Sequence, residues 1–142
     1  MEKIKPPVKE LSNGTRLAYA ELMKIQYFNF GGMSRNISMS VGEKSFRILL
    51  KNTEAVKLFQ GVFDEGNDEA KMYALCGLRM LDRPRFQEMV ESLRESDQPV
   101  NLISGCSEQS FPVKEVVRKI EDGFYDHYFM SVKGVAGEKS GK

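Results

Sequence analysis

Cys106 sits in the polar turn Ser104-Gly105-Cys106-Ser107, and His127 is the only histidine of the chain. A thiolate oriented by an imidazole is a nucleophile, and Asp126 stands beside the histidine. An enzyme reading therefore starts from Cys106 and His127, as a cysteine-dependent reaction. Adjacency in sequence does not make a triad, because geometry decides, and no reactive-cysteine signature flanks Cys106. A lone histidine in an aromatic segment more often packs or lies at the surface. No residue is assigned a catalytic role on these grounds.

Cys76 and Cys106, the only two cysteines, are too few for a disulfide framework and too distant for a metal knuckle. Two readings stand. Both are reduced thiols, with Cys76 a small core residue, or they form a Cys76–Cys106 bridge that pins the Gly105 loop to the chain's central helix. The bridge would contribute about 3–4 kcal/mol and imply an oxidising compartment. One histidine and two separated cysteines cannot by themselves make a four-ligand zinc site. Asp64, Glu65, Asp68 and Glu69 lack the alternation and closing glutamate of a calcium loop. Gly31-Gly32 has neither a strand before it nor a following Lys-Ser or Lys-Thr, so it reads as a loop and not a phosphate cradle. No metal and no cofactor is expected.

The remaining candidates are binding groups. Arg79 falls between Leu75 and Cys76 on a helical wheel, inside an apolar belt. A guanidinium there requires an acid or several carbonyls: Asp82, a residue of a neighbouring helix, or a partner's carboxylate. Tyr27, Phe28 and Phe30, and separately Tyr125, Tyr128 and Phe129, lie near expected loops. They form the candidate contact surface, since aromatic and Arg groups dominate interface hot spots; the alternative is that they cap the ends of the core.

Helices must position these groups. At about 100° per residue, Met72, Tyr73, Ala74, Leu75, Cys76, Leu78, Met80 and Leu81 cover nearly the whole circumference of a helix over 68–81. A helix apolar all round must be covered all round, so this one is expected at the centre. Around it the pattern predicts helices at about 14–28, at 40–52 behind a Ser40/Glu43 capping box, and at 53–63 with Thr53 as N-cap. Further helices are expected at 82–94 behind Asp82, with Pro84 in the first turn, and at 112–122, closed by Gly123. Residues 100–103 alternate weakly as a short strand. The aromatic run 124–130 either lies as an extended arm across the helices or pairs with that strand.

Residues 53–63 and 68–81 read as an antiparallel hairpin whose second helix resembles the inner helix of a HEAT-type repeat. The resemblance rests on Asp68, Ala70, Lys71, Ala74 and Leu78 in that order, and extends over residues 40–94 at most. The chain departs from that pattern at Lys71, where arginine is usual, and at Gly77, where alanine is commoner. The resemblance implies a small helical array with an irregular cap, not a long solenoid. The layout Tyr73-Ala74-Leu75-Cys76-Gly77-Leu78, Ser104-Gly105-Cys106 and Val116-Val117-Arg118-Lys119-Ile120 is also similar to small bacterial proteins, some linked with bacteriocin gene clusters. That similarity implies no known reaction and a setting at the cell envelope.

The 142 residues suit one domain, and 41% hydrophobic with 29% charged content is that of a soluble globular protein. A net charge of +1 gives no case for nucleic acid. No run is apolar enough to span a membrane, and Met1–Pro7 lacks the apolar core of a signal peptide. The cytoplasm is therefore expected, unless Met1 replaces a removed leader, in which case export to the periplasm follows. The expectation is a disordered leader at 1–10, a single helical domain at 11–132 and a disordered tail at 133–142. Its fold class is all-α: HEAT-like antiparallel hairpins, about six helices, an irregular C-terminal cap and room for one short β pairing. The expected function is a non-enzymatic protein-binding or adaptor module, of inhibitor or immunity type, with a protein partner. A cysteine-dependent enzyme and a self-associating structural subunit are the alternatives; the oligomeric state is left open.

Overall fold

Seven consecutive residues, Met72 to Leu78, are buried, so the helix that carries them has no solvent face along two turns. The computed structural model describes residues 11–30, 40–104 and 107–130. Within them the order is α1 Asn13–Met23, α2 Val41–Leu50, α3 Ala55–Glu65, α4 Asp68–Leu81, α5 Arg83–Leu93, β1 Pro99–Ser104, β2 Ser107–Pro112 and α6 Val113–Glu121, then a 3-10 turn at Asp126–Tyr128. The architecture is helix-dominated with one two-stranded antiparallel sheet. α4 touches α2, α3, α5, α6 and β1. Full burial of each large apolar side chain contributes about 1.5–3 kcal/mol, and this concentration on one helix makes α4 the axis of the core. No helix among the described residues is long and apolar enough to cross a membrane.

Side-chain caps set most helix starts. Ser12 accepts the Thr15 N–H at 3.2 Å, Ser40 the Glu43 N–H at 3.1 Å and Asn67 the Ala70 N–H at 2.8 Å. Asp82 ends α4 and starts α5, accepting the Arg85 N–H at 3.1 Å with Pro84 in the first turn. These bonds satisfy donors that the first helical turn leaves open. The exceptions are α6, which starts behind Pro112 with no side-chain cap bond, and α3. Thr53 is not its N-cap: Glu54 holds that position without a side-chain cap bond, while Asn52 Oδ1 takes the Glu54 N–H at 2.7 Å.

Gly77 is a glycine for a packing reason. A Cβ there would lie 2.5 Å from two ring carbons of Phe59 on α3, inside van der Waals contact. The face where the HEAT pattern favours alanine is occupied by a phenyl ring.

Two expectations about connectivity need correction. The first helix ends at Met23, not 28, and residues 27–29 instead run extended beside β1: the Phe28 N–H donates to the Asn101 carbonyl at 2.9 Å, and Phe28 bridges Leu102 in parallel. Helical periodicity over 24–28 lost to the burial of Phe28, 1% exposed, at the centre of the aromatic cluster. The aromatic run 124–130 is neither an extended arm nor a strand. The partner of β1 is β2, in the register Val100–Phe111, Asn101–Ser110, Leu102–Gln109, Ile103–Glu108, and 124–130 folds as turns around the 3-10 segment. β1 and β2 are only two residues apart in the chain, so their pairing is local, whereas a strand from 124–130 would need closure of a longer loop.

Candidate interaction surface

Arg79 and Asp126 form an ion pair between α4 and the 3-10 turn. The Arg79 guanidinium grips Asp126 through Nε–Oδ1 at 2.8 Å and Nη2–Oδ2 at 3.0 Å, donates to the Glu121 carbonyl at 3.2 Å and lies 5.7 Å from the Phe86 ring centroid. Its charge is held by this bidentate bond to Asp126, which raises its pKa further. The partner is thus a carboxylate from the 3-10 turn and not Asp82, which is engaged at the start of α5 and with Arg85. Gly123, at φ +84°, permits this closure, since a Cβ there would meet Asp126 Oδ2 at 2.9 Å.

His127 is exposed and lies 4.0 Å, ring to ring, from Tyr128, while its neighbour Asp126 is committed to Arg79. Cys106, like Gly31-Gly32, lies outside the described residues. Cys76 is a free, fully buried thiol whose pKa is pushed well up by burial, which suppresses thiolate reactivity. Of the acidic group, Asp64 accepts from Gln60 at 2.9 Å, and Glu69, 7% exposed, accepts the Asn101 N–H at 2.8 Å and so ties α4 to β1. Among the described residues no three His, Cys, Asp or Glu side chains converge as metal ligands would.

The sequence-selected aromatics lie mostly inside. Phe28, Tyr125 and Phe129 are buried, and Phe30 and Tyr128 are half-buried, stacked at 5.5 Å and 9°. Phe28 meets Tyr73 edge-on at 4.9 Å and Tyr125 at 5.0 Å, and Phe46 meets Phe129 at 5.7 Å. One continuous cluster results, in which edge-to-face pairs, the geometry that aromatic quadrupoles favour, are joined by tilted pairs and the stacked Phe30–Tyr128 pair. At its centre the Tyr73 hydroxyl donates to the Asn29 carbonyl at 2.7 Å and accepts the Asn29 N–H at 2.9 Å. Burial raises the Tyr73 pKa, and raises that of Tyr125 to about 12. Only Tyr27 of the set stays near the surface as a single ring, with its pKa raised chiefly by a hydrogen bond to Glu108. A shallow hollow of about 270 Å³ lies between Tyr27 and Asn101, Glu108, Gln109 and Ser110.

The exposed aromatic that sequence reasoning passed over is Phe124, 57% exposed. α6 closes on a Schellman motif: the Gly123 N–H donates to the Ile120 carbonyl at 3.1 Å and the Phe124 N–H to the Lys119 carbonyl at 3.0 Å. That turn folds Phe124 back beside Lys119, whose Nζ lies 5.1 Å from the Phe124 centroid and 5.6 Å from that of half-buried Phe111 on β2. Both distances are those of cation–π contacts. No carboxylate among the described residues pairs with Lys119, and its neighbour Arg118 is exposed as well. The sequence signal for this platform was Gly123 followed by an aromatic residue, because the residue after a C-terminal glycine packs on the last helical turn.

β2 supplies a second feature. Residues Ser107–Ser110 are exposed, and among the described residues β2 pairs with β1 alone. Asn101 spends its N–H on Glu69 and its carbonyl on Phe28, so it faces Ser110 as a non-hydrogen-bonded pair. By ladder alternation, Ser110 and Glu108 turn their own N–H and C=O groups to the outer edge.

Comparison of the chain with protein-family models, with curated proteins and with solved structures finds no match.

Proposed function

We propose that the chain is a non-enzymatic protein-binding module of the adaptor or inhibitor kind, with Phe111, Lys119 and Phe124 as the centre of its contact surface. The observation that carries this reading is the Lys119 ammonium, held over two phenyl rings, one of them 57% exposed, with no carboxylate partner among the described residues. Desolvating a large exposed ring is favourable on contact with a partner, and the cation is preorganised by its two rings, which lowers the ordering cost of binding. The α3–α4 hairpin, read as HEAT-like, serves as the rigid frame. In this reading the aromatics at 28, 30, 125, 128 and 129 support the frame, and Arg79 latches the C-terminal turns to α4.

The test is site-specific photo-crosslinking from position 124 in the native source, with position 17 as an exposed apolar control (Leu17 is 62% exposed). A discrete protein cross-linked from 124 but not from 17, and lost in Lys119→Glu, is the expected result. Alanine at a central aromatic anchor typically costs at least about 2 kcal/mol of binding, so Phe124→Ala should weaken the complex roughly 30-fold. Identical cross-linking from both positions, or none from either, refutes the reading.

A further inference from the structure

We infer that the partner is an extended peptide segment that adds as a strand to the outer edge of β2 and places an acidic side chain on Lys119. This inference rests on the proposed binding surface and specifies its ligand. The outer N–H and C=O groups of Glu108 and Ser110 have no hydrogen-bond partner among the described residues, and a row of such groups is the template for strand addition. The ladder is short. Pro112 offers no N–H, and α6 begins at Val113, so an incoming strand gains about four backbone hydrogen bonds, two at Glu108 and two at Ser110.

Specificity then falls to side chains. Gln109 and Phe111 share one face of β2, and Glu108 and Ser110 the other, beside Tyr27. A residue of the added strand opposite Phe111 sits on the Phe111 face, with its Cβ about 4.5–5.5 Å from that of Phe111. It therefore meets the Lys119 ammonium, and a carboxylate is its charge complement. A residue opposite Glu108 instead faces a carboxylate and is best a hydroxyl or basic side chain. A second copy of this chain fits less well. Antiparallel pairing of two β2 strands about Gln109 aligns Glu108 with Ser110 but sets Ser107 of the second copy opposite Phe111, leaving Lys119 without an acid. The alternative centred on Glu108 opposes two like charges, and that centred on Ser110 spends a bond on Pro112.

The experiment uses the full chain, labelled with nitrogen-15, and a capped peptide Thr-Asp-Thr-Val-Thr-Val, whose aspartate faces Phe111 in the antiparallel register. Two control peptides replace the aspartate by lysine or carry N-methyl groups on the second and third threonines, which face Ser110 and Glu108. The expected result is amide shifts and slowed hydrogen exchange confined to Glu108, Ser110 and their neighbours. Affinity should fall at least tenfold for either control peptide and for Lys119→Glu, and binding should be lost in Ser110→Pro, whose outward N–H takes no part in pairing with β1. The N-methylated peptide keeps the test valid if that proline variant fails to fold.

Equal binding of the N-methylated peptide overturns strand addition, and if Lys119→Glu still abolishes it, the platform reading survives alone. Equal binding of the lysine peptide overturns the acidic anchor. Slowed exchange at Glu108 and Ser110 without peptide, with concentration-dependent mass, makes the occupant a second copy and overturns the inference. No response to any peptide overturns it too; cross-linking from position 124 then decides whether the broader reading stands.

Discussion

Gly77→Ala should destabilise this protein, although alanine is the better helix former by about 1 kcal/mol. The added Cβ would stand 2.5 Å from Phe59 Cδ2 and Cε2, about 1 Å inside the optimum separation of carbon atoms. Phe59 has no exposed surface to swing into and is packed against Phe46 at 5.4 Å between ring centroids. The overlap must therefore be relieved by moving α3 against α4 or by forcing the ring off its rotamer. Overpacking of this kind costs about 1–3 kcal/mol, and contact with a rigid ring belongs at the upper end. After subtracting the propensity gain, the net loss is about 2 kcal/mol. At a urea m-value of about 2 kcal/mol/M, the unfolding midpoint falls by about 1 M. Gly14→Ala is the matched control: nothing lies within 4 Å of its Cβ, and it should gain about 0.5 kcal/mol. The assay is urea unfolding followed by far-ultraviolet circular dichroism at 25 °C. Phe59→Leu should lose stability in the parent chain but lose at least about 1 kcal/mol less in the Gly77→Ala background, because the two side chains compete for one volume. A Gly77→Ala protein as stable as the parent, or strict additivity with Phe59→Leu, would refute this account of the α3–α4 contact.

Other expectations can be checked in the same assay. Asp126→Ala leaves the Arg79 guanidinium, 11% exposed, without its bidentate partner and should cost about 2–3 kcal/mol; Asp126→Asn should recover part of that, and equal stability of all three would remove the latch. Tyr73→Phe removes both bonds to the Asn29 backbone in a buried site and should cost about 2 kcal/mol, read as a lower urea midpoint. Burial raises the Tyr125 pKa to about 12, and that of Tyr19 to about 12, while the unfolded chain ionises tyrosine near 10. The folded state therefore binds these protons more tightly, so its stability is intact below about pH 10 and declines as pH rises from there toward 12. Urea midpoints measured from pH 8 to pH 11 should fall only at the alkaline end, less steeply in Tyr125→Phe; a flat profile would contradict the burial argument.

How much of this was readable in advance depended on how local the cause was. The bounds of α4 follow from Asp68 and Glu69 at its start, Asp82 at its end and an apolar circumference between, all within one segment. Asp82 and Ser40 act as caps because a cap is made within three residues. The departure of residues 24–28 from the helix and the burial of Phe28, Tyr125 and Phe129 depend on elements far apart in the chain. Phe124 and Tyr125 illustrate the limit: adjacent aromatics, one 57% exposed and the other 7%, separated only by the way the turn after Gly123 docks.

The sequence alone determined a helix-dominated chain built around residues 68–81, because hydrophobic periodicity and capping chemistry are carried by neighbours along the chain. It also determined that Arg79 needed an acid or several carbonyls, since a guanidinium in an apolar belt is unfavourable without polar partners. Only the tertiary structure decided that Asp126 is the acid beside it, that Phe59 excludes a side chain at Gly77, and that Phe111 of β2 lies against Lys119 of α6. Each of these is a contact between separate elements, fixed by packing in three dimensions, and no pattern along one segment encodes it.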